Sequence, residues 1–68
     1  MPVITLELVP LPTEKKKALV SELTAAAARI TGLPQQSFYV FIRENDPDNV
    51  GVGSELLSEI KARANAAR

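Results

Sequence analysis

The sequence contains no cysteine, no histidine and no tryptophan, and its aromatic residues are two phenylalanines and one tyrosine. Without cysteine, neither disulfides nor thiolate metal sites can hold a small chain together. Without histidine, the commonest general base is missing, together with Ser–His and Cys–His nucleophile pairs and most zinc sites. An enzyme built on this chain needs an unusual base. An excess of either charge is missing too, because 8 Lys plus Arg balance 8 Asp plus Glu. Residues 1–40 carry four basic and three acidic groups, and residues 41–68 carry four and five. Neither half has the footprint of a nucleic-acid-binding protein, and the single basic run, Lys15-Lys16-Lys17, reads as the solvated start of a helix. No apolar run approaches the roughly 20 residues of a membrane span. The opening Met-Pro-Val-Ile-Thr lacks the basic region of a signal peptide, so a cytoplasmic location is expected.

The 68 residues are expected to form one domain, residues 1–68. A domain of about 60 residues buries only about 60% of the surface its unfolded chain exposes. With disulfides and metals excluded as staples, the expectation is a core completed by other copies of the chain.

Residues 2–9 read as a strand in which Ile4, Leu6 and Leu8 alternate with Thr5 and Glu7. Pro2 suits a strand's first position, where its missing N–H costs nothing, and Pro10-Leu11-Pro12 stops the strand. A helix is predicted over about 13–31, with Thr13 as its cap and Glu14 in the first turn, where the helix dipole favours a negative charge. Leu19, Leu23, Ala26, Ala27 and Ile30 form its apolar face; Gly32 ends it in the left-handed conformation and Pro34 forbids resumption. A second strand is predicted over about 37–44, with Phe38, Val40 and Ile42 on one face and Tyr39, Phe41 and Arg43 on the other. Asn45–Asn49 is a turn cluster, and Ser54 is placed to cap a last helix, Glu55–Ala67, with Leu56, Leu57 and Ile60 as its apolar side. The glycine-punctuated Val50-Gly51-Val52-Gly53 lacks the Lys-Ser/Thr ending of a phosphate loop, and reads as a hairpin or bulge rather than an anion cradle.

Strand, helix, strand in under fifty residues is a βαβ unit with parallel strands and a right-handed crossover, an α+β protomer. Parallel sheets are normally covered on both faces, and one helix covers only one. The face carrying Tyr39, Phe41 and Arg43 therefore needs a partner.

Pro2 carries the chemistry. Removal of Met1, usual when proline follows, leaves a secondary amine at the N-terminus. An α-amino group has a reference pKa of about 7.7–8.0, and apolar burial or nearby cations lower it. That places a base near the operating pH, where general-base efficiency is greatest. The plain alternative is that proline merely starts the strand. With Met1 attached, residue 2 has an amide nitrogen with no basic lone pair, and the chain should be catalytically silent.

Several segments taken in order carry a family resemblance: Met-Pro-Val-Ile-Thr opening a strand, the Thr13–Lys17 helix start, Gly32-Leu33-Pro34 before Ser37, and Ile42-Arg43-Glu44 followed by Asp48–Gly53. Over about residues 2–57 the chain resembles the 4-oxalocrotonate tautomerase family. The resemblance implies a βαβ protomer with a short C-terminal hairpin and helix, a dimer whose strands merge into one sheet, and a hexamer built as a trimer of dimers. It implies enol–keto proton transfer on small unsaturated 2-oxo acids, with the amino-terminal proline as base and without cofactor or metal. No nucleic-acid or membrane partner is expected.

Carried over position by position, the catalytic proline matches Pro2. The family's arginine in the first loop is not matched in Pro10-Leu11-Pro12, which is one residue shorter. A second substrate-binding arginine falls at Tyr39, and an aromatic wall residue falls at Val50. Arg43, on the same strand face as Tyr39 and Phe41, is the candidate replacement cation for a substrate carboxylate, with a lysine of Lys15–Lys17 from a neighbouring subunit as the other candidate. Its alternative role is an inter-strand or inter-subunit ion pair with Glu44 or Asp46. The competing functional reading is an oligomeric assembly module that keeps the fold without catalysis.

Overall fold

The computed structural model describes residues 1–66. The chain runs β1 (Val3–Leu8), α1 (Thr13–Thr31), β2 (Tyr39–Glu44), a short hairpin of β3 (Gly51–Val52) and β4 (Glu55–Leu56), and α2 (Leu57–Ala66). Single turns of 3₁₀ helix, Gln35–Ser37 and Pro47–Asn49, stand on either side of β2. β1 and β2 pair in parallel, with Val3 opposite Tyr39, Thr5 opposite Phe41 and Glu7 opposite Arg43. The expected βαβ unit is present.

Alternation decides which face is covered. Ile4, Leu6, Leu8, Val40 and Ile42 are half-buried on the α1 side, while Val3, Thr5, Glu7, Tyr39, Phe41 and Arg43 are exposed on the other. α1 presents Leu19, Leu23, Ala26 and Ala27 to the sheet, as their helical spacing requires. Ile30, expected on that stripe, is 74% exposed, because α1 has run past the sheet by its last turn.

The ends of the elements show what local chemistry decided. α1 begins at Thr13, but Pro12 holds the cap position with extended backbone and no side-chain cap bond is made. The N–H groups of Lys15 and Lys16 donate to the Pro12 carbonyl at 3.1 and 3.2 Å. The expected Thr13 cap is thus corrected by one residue: proline's fixed φ places the turn into the helix before the hydroxyl. At the other end Gly32 is left-handed (φ 78°) and donates to the Ala28 carbonyl, as expected. β2 starts at Tyr39 rather than 37, because the Ser37 hydroxyl and N–H both donate to the Pro34 carbonyl and close a turn instead of entering the ladder.

In the C-terminal third, the glycine-punctuated segment is a hairpin. Val52 pairs with Glu55 across a Gly53-Ser54 loop in which Gly53 takes φ +64°. Ser54 is therefore a turn residue and not a helix cap, and α2 starts at Leu57, not Glu55. Its start is held from within: Glu59, on the third helical position, accepts from the Leu56 N–H at 3.0 Å. Arg63 reaches back to the Glu55 carboxylate through both guanidinium arms, tying α2 to the hairpin. Ala67, included in the predicted last helix, lies outside the described residues.

Among the described residues no side chain is fully buried. The radius of gyration is 15.9 Å and the long dimension 46 Å, whereas a compact domain of this length has a radius of gyration of about 11 Å. The protomer is elongated, with one face of its sheet open.

Candidate active site

Pro2 stands immediately before β1 and is half-buried. Its carbonyl accepts the Tyr39 N–H at 3.1 Å, extending the ladder by one bond and fixing Tyr39 beside it. Pro2 continues the parity of Ile4 and Leu6, so it lies toward the α1 side of the sheet, at the end where α1 finishes. Tyr39 lies on the open face, 50% exposed.

Arg43 and Val50 lie elsewhere. Arg43 is opposite Glu7 in the register, five residues along the strand from Pro2, which is about 16 Å at 3.3 Å per residue. Val50 is half-buried in a groove at the C-terminal end of β1, between Leu8, Val9 and Leu57. Within one protomer, then, the fold brings Pro2 and Tyr39 together and sets Arg43 and Val50 at the far end of the sheet. A cleft containing all four requires another copy of the chain.

Within one protomer, Arg43 makes no ion pair with Glu44 or Asp46 among the described residues. The reason is strand parity. Glu44 follows Val40 and Ile42 onto the α1 side, where it accepts the Leu11 N–H at 2.8 Å and meets Lys16 Nζ at 2.9 Å. The Leu11 N–H, and after it the Lys16 ammonium, hold the Glu44 carboxyl below the usual carboxylate range. Asp46 instead caps the Pro47–Asn49 turn by accepting the Asp48 N–H at 2.9 Å.

Sequence reasoning missed this Glu44–Leu11–Lys16 cluster. Its signal was available, since alternation alone places Glu44 opposite to Arg43 and over the start of α1. The cluster clamps the proline-bounded loop between β1 and α1 to the end of β2. Among the described residues no group of acidic side chains is disposed to hold a metal ion, and no helix is long and apolar enough to cross a membrane.

The family model described as tautomerase enzyme matches residues 2–60. A probable tautomerase from Bacillus cereus is 38% identical over 60 residues, covering 87% of this chain and 98% of the relative. Among solved structures, TomN, a 4-oxalocrotonate tautomerase homologue in the tomaymycin biosynthetic pathway, superposes with a TM-score of 0.85 at 31% identity, covering 90% of this chain and 95% of that one. Another 4-oxalocrotonate tautomerase homologue gives a TM-score of 0.79 at 35% identity, over 87% and 95% of the two chains. These matches span β1 through α2, so they concern the whole βαβ unit together with its C-terminal hairpin. The chain belongs to the tautomerase family, and its activity is of the isomerase type.

Proposed function

We propose that the chain, once Met1 is removed, catalyses enol–keto proton transfer on small unsaturated 2-oxo acids with the Pro2 amine as general base. The observation that carries this reading is the placement of Pro2 at the head of β1, where the family match begins. The chain has no histidine or cysteine to take the role. Freed of Met1, Pro2 carries a secondary amine whose neutral form has a basic lone pair. It takes the proton of the enol hydroxyl; the electron pair left on oxygen forms the carbonyl, and the former double bond takes a proton back from the prolinium at carbon. The charge that builds on oxygen and carboxylate needs a cation. Arg43 is that cation, supplied by an adjacent copy because its own Pro2 is too distant. Tyr39 and Val50 wall the cleft.

This reading makes the assembly part of the mechanism. The open sheet face and, among the described residues, the lack of any fully buried side chain support a homo-oligomer; the assembly proposed is a hexamer built as a trimer of dimers, working in the cytoplasm. Intact mass together with turnover of phenylenolpyruvate tests it. The chain lacking Met1 should be active, and the chain retaining it silent. kcat/KM should rise with pH through the Pro2 amine pKa, since only the neutral amine accepts a proton. Pro2→Ala, which keeps a primary amine in place of the secondary one, should lower kcat/KM by about 10²-fold or more. A flat profile from pH 5 to 9, or full activity in that variant, removes Pro2 from the mechanism, whereas absence of turnover by the Met-processed chain leaves the assembly-module reading.

A further inference from the structure

We infer that the preferred substrate carries one carboxylate and an apolar, aryl-sized substituent, not a second carboxylate; the inference rests on the Pro2 reading above and specifies its substrate class. The first observation is where the charges are. Residues 1–6 and 30–42 contain no charged side chain. Because β1 and β2 are parallel and α1 runs back between them, these two segments meet at one end of the sheet, the end that holds Pro2. The first charges met along the strands are Glu7 and Arg43, directly opposite one another.

The second observation is what occupies the charge-free end. Val3 is 46%, Leu33 45% and Tyr39 50% exposed; the Tyr39 N–H donates to the Pro2 carbonyl, which sets the Tyr39 side chain beside Val3 on the open face at the strand end that Pro2 begins. An apolar substituent gains by covering such a surface, whereas a carboxylate lodged there without a cation is costly. Of the cations outside this end, Lys16 is engaged by Glu44 and Arg63 by Glu55. Lys15 and Lys17 start α1, at the opposite end of the sheet and on the covered side, away from the open face that carries Arg43, and Lys61 lies in α2. Arg29, one residue before the charge-free segment, is the cation nearest this end among the described residues; it lies in the last turn of α1, where it offsets the negative end of the helix dipole. With Arg43 from an adjacent copy holding the first carboxylate, the surface around Pro2 is built for an aromatic or aliphatic tail.

The test compares phenylenolpyruvate with 2-hydroxymuconate, which has a carboxylate at each end, on the Met-processed chain. We expect kcat/KM for the aryl enol to be at least tenfold higher. Tyr39→Arg, which adds a cation beside Pro2, should narrow or reverse that ratio. Equal or better turnover of the dicarboxylate overturns the inference, the more clearly if Arg29→Ala abolishes it. Binding of 3-phenylpropionate and adipate, followed by NMR, is a readout independent of catalysis: tighter binding of adipate overturns the inference and tighter binding of 3-phenylpropionate supports it, even in a chain that turns over neither enol. Pro2→Ala separates the two readings. If it retains activity with the aryl preference intact, the base assignment falls and the substrate inference stands; if it is inactive while the wild type favours the dicarboxylate, the reverse holds.

Discussion

Under α1, the residues Ile4, Leu6, Leu8, Val40 and Ile42 are each half-buried, whereas on the opposite face of the same two strands Val3, Tyr39 and Phe41 leave about half of their surface in water. Both faces come from one alternation; the covered one is apolar up to Glu44, and the open one sets Val3, Tyr39 and Phe41 beside Thr5, Glu7 and Arg43. The covered face fixes the protomer, because its residues meet the Leu19–Leu23–Ala26–Ala27 stripe of the helix. The open face does nothing for an isolated chain. Fully burying one large apolar side chain contributes about 1.5–3 kcal/mol, so covering the exposed half of Phe41, away from the Pro2 end, contributes on the order of 1 kcal/mol. Repeated over every copy in an assembly, that is a large fraction of what a small domain has available. The open face also carries Arg43, so the surface that drives association is the one that delivers the cation.

The sharpest way to break this comparison is to charge the open face alone. Phe41→Lys puts an ammonium at the centre of that face without touching the residues beneath α1. Association would bury the charge unpaired, at a cost of several kcal/mol. The variant is expected to sediment as smaller species than the wild type at micromolar concentration and to lose turnover with the assembly. Wild-type sedimentation would show that this face is not the interface.

A smaller effect is expected from Arg43→Ala, which separates delivery of the cation from association. A guanidinium holds a carboxylate by two parallel hydrogen bonds. Its loss should lower kcat/KM about tenfold, roughly 1.4 kcal/mol of transition-state stabilisation, with the assembly intact. Dissociation of the variant would make Arg43 an interface residue. Unchanged activity and assembly would hand the carboxylate to another cation.

The covered face was legible because its signals are local. Period-two alternation, the Leu19-to-Ala27 stripe and the Gly32-Leu33-Pro34 stop each act within a few residues, and α1 spans the predicted 13–31. The errors arose where a more distant partner or a competing hydrogen bond decided. Glu55 and Leu56 have no strand pattern of their own and become β4 only by pairing with Gly51 and Val52. Ser37 is a good strand residue by position, but its hydroxyl has a nearer acceptor in the Pro34 carbonyl. For the site, the chemistry of Pro2 could be read from one residue and what may precede it. The separation of Pro2 from Arg43 could not, because it follows from a parallel register that no short segment encodes. Glu44 is the instructive case, being adjacent to Arg43 in sequence and turned to the other face.

That parity gives the smallest and most specific prediction. Glu44 accepts the Leu11 N–H and pairs with Lys16, and both interactions favour its ionised form, so its folded pKa is lowered from the usual glutamate value. A lowered folded pKa means that the contribution to stability is present above the unfolded pKa and is lost as pH falls through the folded one. The group is on the surface and salt screens it, so the effect is small. Glu44→Gln removes the titration while leaving an amide oxygen that can still accept from Leu11. Denaturation midpoints measured from neutral pH down to about pH 3 should therefore show the wild type more stable at neutral pH and the difference shrinking as the carboxylate protonates. High salt should shrink the neutral-pH difference as well. Curves that stay parallel throughout would mean that the clamp on the β1–α1 loop owes nothing to the charge of Glu44, and that the proline-bounded loop holds its shape unaided.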